Sequence, residues 1–166
     1  MTNNATIETA KGLTFGTELE YTNISREKAA RAIHSVTGGS VRYYGGGYDA
    51  WQVTAPDGRV WKAVSDGSLT DRATSAEVVT PILRWEDLDT LQAVVRALRK
   101  AGAKTPSCTS QHVHVGVSAF TARQIANIAR IWMPGHCIRI AVWPIFTMKQ
   151  RCRQNSAKLT KPTIKR

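Results

Sequence analysis

The stretch Leu13-Thr14-Phe15-Gly16-Thr17-Glu18-Leu19-Glu20-Tyr21 decides the fold. Side chains along a strand point to alternate faces. Leu13, Phe15, Thr17, Leu19 and Tyr21 therefore form one largely apolar face, while Gly16, Glu18 and Glu20 lie on the other with the two carboxylates about 7 Å apart. A second stretch, QHVHVGVS (Gln111–Ser118), repeats the arrangement. Val113, Val115 and Val117 share one face, and His112, His114 and Gly116 share the other. Two half-buried strands that show paired ligand-type side chains suggest a metal site built on a sheet.

The chain of 166 residues is long enough for one domain that buries roughly two thirds of its unfolded surface, so neither a metal nor a disulfide is needed merely to fold it. The start, MTNNATIETAKG, has no apolar stretch resembling a secretory signal. The longest apolar run, Ile140 to Phe146, is interrupted by Pro144 and is too short to span a bilayer. Cys108, Cys137 and Cys152 show no close pairing and fit a reducing compartment, and their spacing excludes a zinc cluster of thiolates. The expectation is a soluble, cytoplasmic protein.

The net charge of +11 is divided unevenly. All twelve acids lie at or before Asp89 with nine of the Lys and Arg, a balance of −3; the other fourteen Lys and Arg follow with no acid, a balance of +14. This polarity suits a polyanionic partner such as a nucleotide, a phosphorylated substrate, nucleic acid or an acidic protein. A solvated basic tail would read the same way.

Along the chain, residues 1–11 are polar and expected to be a flexible, frayed end. Residues 12–150 form the single α+β domain, and residues 151–166 form a basic C-terminal segment. After the first strand, Ser25 caps a helix through His34 with Ala29, Ala30, Ile33 and Val36 inward, and Gly38-Gly39 ends it. Val41–Tyr44 reads as a strand. WQVT-APDG-RVWKAV is the clearest hairpin, turning at Pro56-Asp57-Gly58. Ser65–Leu69 (SDGSL) is a loop, and Ala76–Leu83 is a strand that carries Glu77 and leaves the sheet near Pro81. In Trp85–Lys100, Leu88, Leu91, Val94, Val95 and Leu98 recur at helical spacing, with acids first, bases last and Gly102 as the stop. Thr121–Trp132 makes another helix, and Cys137–Lys149 reads as helix broken at Pro144.

Six residues carry ligand chemistry: Glu18, Glu20, Asp66, Glu77, His112 and His114. Carboxylates bind Mg²⁺ or Mn²⁺ through oxygen, and a mixed imidazole and carboxylate set accepts Mn²⁺ or Zn²⁺ as well. Taken singly, Glu18 and Glu20 also fit the solvent face of a half-exposed strand. In SDGSL, spacing alone favours an Asx turn, while Gly67 would let backbone approach a ligand between Asp66 and Ser68. Arg151 and Arg153 could grip phosphate or carboxylate, or simply be solvated.

Four blocks in order, FGTELEY, VSDGSL followed by EVVTP, an amphipathic helix ending in Lys-Ala-Gly, and SCTSQHVHVG, resemble the amidoligase family, a relative of the carboxylate–amine ligases with the glutamine synthetase and glutamate–cysteine ligase fold. The likeness covers about residues 13–132. It implies a curved antiparallel sheet with helices packed on one face, a glutamine synthetase-like catalytic fold. It also implies an ATP-dependent enzyme that joins a small-molecule or peptide carboxylate to an amine through an acylphosphate. By that likeness Glu18, Glu20 and Glu77 are metal ligands, and His112 or His114 reaches the Mg²⁺ (or Mn²⁺) or the ATP phosphates. Asp66, Gly67 and Ser68 line the nucleotide or substrate pocket, and Arg151 steadies the transferring phosphoryl group. Family members are usually longer, which implies substrate-binding parts that are absent or supplied by another subunit, as in a homo-oligomer. They also tend to carry an acid beside a histidine after the last helix, where this chain has His136 followed by Cys137.

Two other readings fit parts of the sequence. Asp66 and Glu77 lie on a path from hairpin to strand that a metal-dependent nuclease would use, although Val79 stands where such enzymes place a lysine. A non-catalytic nucleic-acid-binding domain would use the basic half and treat the acids as surface.

Overall fold

The computed structural model describes residues 2–69, 71–107, 109–132, 140–143 and 145–151. The elements, in chain order, are helix α1 (Thr2–Lys11), strand β1 (Phe15–Thr22), α2 (Arg26–Thr37), β2 (Ser40–Gly45), β3 (Ala50–Thr54), β4 (Val60–Val64), β5 (Ser75–Val79), α3 (Leu88–Lys100, entered through a 3₁₀ turn at Trp85–Asp87), β6 (Ser110–Gly116), α4 (Ala122–Trp132), β7 (Ile140–Trp143) and β8 (Ile145–Arg151). The strands form one open sheet in the order β2-β3-β4-β5-β1-β6-β8-β7. Every neighbouring pair is antiparallel. The α+β class with an antiparallel sheet is as the sequence suggested.

The apolar face of β1 packs on α2 and α3. Leu19 and Tyr21 join Ala29, Ala30 and Ile33 of α2, Val94 and Leu98 of α3, and Val53, Trp61, Ala63, Ala76 and Val78 of the flanking strands in one buried cluster. Burial of this kind yields about 25 cal/mol per Å² of apolar surface, which is why the alternation in β1 fixes which side meets the helices. Local signals agree with the packing. Ser25 caps α2 by accepting from the Lys28 amide at 3.3 Å. Gly38 closes that helix with its amide bonded to the His34 carbonyl at 2.8 Å. Gly39 follows at φ +83°, where a Cβ would stand 1.9 Å from the Thr54 carbonyl oxygen, so only glycine can make this turn into β2.

Three expectations need correction. Thr2–Lys11 is helical rather than irregular. The strand expected over Ala76–Leu83 pairs only from Ser75 to Val79. Beyond it, the Thr80 amide still reaches the Thr17 carbonyl at 3.0 Å and Leu83 bridges Phe15, while Pro81 interrupts the regular ladder between them. The helix expected over Cys137–Lys149 is replaced by β7 and β8. There Ile140, Val142, Trp143, Ile145 and Phe146 are β-branched or aromatic, and β8 finds a partner in β6 from Gly116 to Ser110. His136, Cys137, Cys108 and residues 152–166, including Arg153, lie outside the described residues.

Candidate metal centre

Strand β1 lies inside the sheet with β5 on one side and β6 on the other, so its polar face has chemistry on both flanks. Glu20 stands opposite Glu77 of β5, and Glu18 stands opposite His112 of β6. Glu18 Oε2 lies 2.6 Å from His112 Nδ1, and its Oε1 lies 3.3 Å from His114 Nε2. Glu18, Glu77 and His112 each offer one ligand atom, and the three atoms lie within 4.8 Å of one another. A divalent cation with bonds of about 2.0–2.2 Å spans such a triangle after side-chain adjustments of a few tenths of an ångström.

Glu20, expected as a ligand, is held differently. It is 3% exposed, and its Oε2 accepts from the Ser110 amide at 2.7 Å while its Oε1 accepts from the Ser110 hydroxyl. The same hydroxyl lies 3.4 Å from His112 Nε2, and Glu20 Oε1 lies 3.9 Å from that nitrogen. His112 thus turns one ring nitrogen to Glu18 and the other to a serine-supported carboxylate, the outer-shell arrangement that fixes ring orientation at metal sites. The His112 backbone is fixed too, since its carbonyl accepts from Thr17 Oγ1 at 2.7 Å.

The crowding of acids leaves a clear electrostatic mark. Burial, with the charges of Glu18, Asp66 and Glu20 and a hydrogen bond to Glu18, pushes the Glu77 carboxyl up to about 8. Near neutrality it holds a proton that bridges it to Glu18, because the site gathers more negative charge than its surroundings neutralise. A cation is the complement such a donor set needs.

Asp66 is half-buried and close enough for its charge to act on Glu77. Its carboxylate accepts from the Ser68 amide at 3.0 Å and the Ser68 hydroxyl at 2.6 Å, so the Asx turn is present, with Gly67 and Ser68 exposed. Arg151 ends β8 directly opposite Ser110 in the register, which puts its backbone on the row of Glu20; its side chain is outside the described ones. A cavity of about 230 Å³ opens beside Glu18 and His114, walled by Gly16, Val79, Pro81 and Gly116. A Cβ on Gly116 would meet Thr14 Oγ1 at 2.2 Å, so a larger residue in that wall would have to displace the hydroxyl. A larger cavity of about 940 Å³ lies against Leu91, Val95 and Arg99 of α3, on the helix side of the sheet.

The structure therefore gathers Glu18, Glu77 and His112, sets His114 and Glu20 beside them, and brings Asp66 to the rim. Sequence reasoning missed Ser110, yet the signal was there: two residues before His112, it shares that residue's face by the strand period. Among the described residues no helix is long and apolar enough to cross a membrane.

Over residues 11–139 the chain matches a family model described as a putative amidoligase enzyme. Comparison with curated proteins and with solved structures returns no match.

Proposed function

The chain belongs to this amidoligase family, and from that membership together with the geometry of β1, β5 and β6 we propose that it is an ATP-dependent carboxylate–amine ligase with a glutamine synthetase-like, curved sheet. The observation that carries the reading is the convergence of Glu18, Glu77 and His112 to within 4.8 Å on the face of the sheet turned away from α2 and α3. Three donors from three strands form a rigid cradle rather than a chance surface cluster.

In this reading Glu18, Glu77 and His112 would hold Mg²⁺ or Mn²⁺, which would supply positive charge to offset that of the nucleotide phosphates. Before an ion enters, Glu18 lies 2.6 Å from His112 Nδ1 and 3.3 Å from His114 Nε2, which keeps both rings turned toward the cradle. Glu20 and Ser110 hold the His112 ring from behind. Glu77 gives up its proton when the cradle is filled, which ties the site's occupancy to pH. His114 and the small cavity beside it receive the carboxylate to be activated, and the glycine walls let it approach the sheet. Asp66, Gly67 and Ser68 would border the nucleotide, and Arg151 would steady the phosphoryl group in transfer. The carboxylate would take the γ-phosphoryl group of ATP and release ADP, and the amine would then attack the acyl carbon of the resulting acylphosphate, forming the amide and releasing inorganic phosphate and a proton.

Titration calorimetry of Mn²⁺, and of ATP with and without Mg²⁺, tests the reading. The expected result is one tight cation per chain, ATP binding that needs Mg²⁺, and loss of both in Glu18→Ala. ATP binding that is indifferent to metal, or a Glu18→Ala protein that binds cation like the parent, would refute it.

A further inference from the structure

The register of the sheet runs a single row of side chains across its open face: Arg42 opposite Gln52, Gln52 opposite Lys62, Lys62 opposite Val79, Val79 opposite Glu18, and Glu18 opposite His112. The row continues past His112 to Lys149 of β8, so the metal cradle lies within it, and the end formed by β2, β3 and β4 is basic. On that side Lys62 is the cation nearest the cradle. Two strand spacings separate its backbone from that of Glu18, about 10 Å, and it stands diagonal to Glu77, a relation of about 7–8 Å. Its neighbours across the ladder, Gln52 and Val79, are uncharged, and Lys62 has no ion-pair or hydrogen-bond partner among the described residues. Other cations of this domain are committed: Arg26 to Asp49, Arg31 to Glu27, and Arg59 to Asp57 and Asp87. Lys62 is exposed, whereas Gln52 beside it is half-buried, so the pair presents an ammonium and a carboxamide on the same face as the cradle.

A strand projects a lysine from its face, and the flexible four-carbon stem lets its ammonium lean part of the way toward the cradle. An ammonium and an amide N–H together suit an oxyanion, each hydrogen bond from the charged donor being the stronger of the two. We propose that Lys62, with Gln52 beside it, forms an anion-binding subsite that takes a carboxylate or phosphate oxygen of a ligand whose reacting end lies over Glu18, Glu77 and His112. The inference rests on the ligase reading and extends it: the ligand is either the nucleotide's own phosphate chain or an acidic substrate with a second anionic group on the Lys62 side of the one activated.

Lys62→Gln and Arg42→Gln separate local contact from general field. Arg42 lies four strands from Glu18, about 19 Å, which is well beyond the screening length of about 8 Å at physiological salt. Mg·ATP and glutarate, the latter as a dicarboxylate probe in the presence of Mn²⁺, are titrated into each protein, with Mn²⁺ alone titrated in parallel. The expected result is about a tenfold weakening of one probe in Lys62→Gln, a change of less than twofold in Arg42→Gln, and unchanged Mn²⁺ affinity in both. Loss confined to Mg·ATP assigns the subsite to phosphate, and loss confined to glutarate assigns it to the substrate. Undiminished binding of both probes in Lys62→Gln, or equal losses in the two variants, overturns the subsite while leaving the ligase reading intact. Absence of Mn²⁺ binding in the parent protein overturns the ligase reading. The subsite is then judged by tripolyphosphate titration without metal, where no difference between parent and Lys62→Gln overturns it too.

Discussion

Replacing Glu77 by glutamine should make the metal-free protein more stable, and by an amount that depends on pH. In the folded state burial and the neighbouring acids push this carboxyl from 4.5 up to about 8. The folded chain therefore keeps a proton that the unfolded chain releases, and stability from this group is complete below pH 4.5 and is lost progressively as pH rises through about 8. The full shift corresponds to about 5 kcal/mol at 1.36 kcal/mol per unit, but the side chain retains solvent contact, and screening reduces the effect to roughly 2 kcal/mol. Glutamine has the same shape, donates to Glu18 through its amide, and carries no ionisation cost. In EDTA at pH 8, Glu77→Gln should unfold roughly 4–8 °C above the parent, with the gap closing near pH 4.5. In saturating Mn²⁺ the order should reverse, because the parent gains a ligand's worth of binding that glutamine cannot match. Cation affinity of the parent should rise about tenfold per pH unit below 8 and level off above it, since one proton leaves as each ion enters. Thermal unfolding followed by circular dichroism at pH 4.5, 6, 7 and 8, with and without Mn²⁺, measures all of this. A Glu77→Gln protein that is less stable than the parent in EDTA at pH 8, or a gap that does not vary with pH, would show that the site is not an excess of buried negative charge.

Ser110→Ala removes the hydroxyl shared by Glu20 and His112 while keeping the amide bond to Glu20. It should weaken Mn²⁺ binding by about 10-fold or more with unfolding temperature little changed, and a loss of stability without loss of affinity would contradict the outer-shell role. Gly39→Ala meets both a left-handed backbone and the Thr54 carbonyl at 1.9 Å. It should cost more than about 1 kcal/mol in urea unfolding, and a neutral result would show that the turn between α2 and β2 can relax.

Much of the fold was legible because period and capping agreed locally. The alternation through Phe15–Tyr21 gave the two faces of β1, Ser25 and Gly38 bounded α2, and the spacing of Leu91, Val94 and Leu98 placed α3 against the sheet. The site was legible for the same reason, as the strand period alone sets Glu18 beside Glu20 and His112 beside His114. What the period could not say is which members of each pair would converge. That is set by register, which opposes Glu18 to His112 and Glu20 to Glu77 and depends on partners 57 and 94 positions away in the chain. The fate of Glu20 followed from Ser110, a residue with no ligand character of its own. The misreading of Ile140–Trp143 and Ile145–Arg151 has a similar cause: a short apolar run has no decisive period, and the free edge of β6 decides its conformation.

The placement of the cradle has an implication for how the chain assembles. Its three donors reside on segments that are remote in sequence and adjacent only once β5, β1 and β6 have zipped together. No partial intermediate containing two of these strands owns the site, so a bound ion recognises the finished central layer and nothing earlier. At a concentration of one hundred times its dissociation constant it would deepen the native basin by about 2.7 kcal/mol. The ion would then act as a latch on the long-range pairing of β1 with β6 as well as a tool of the chemistry.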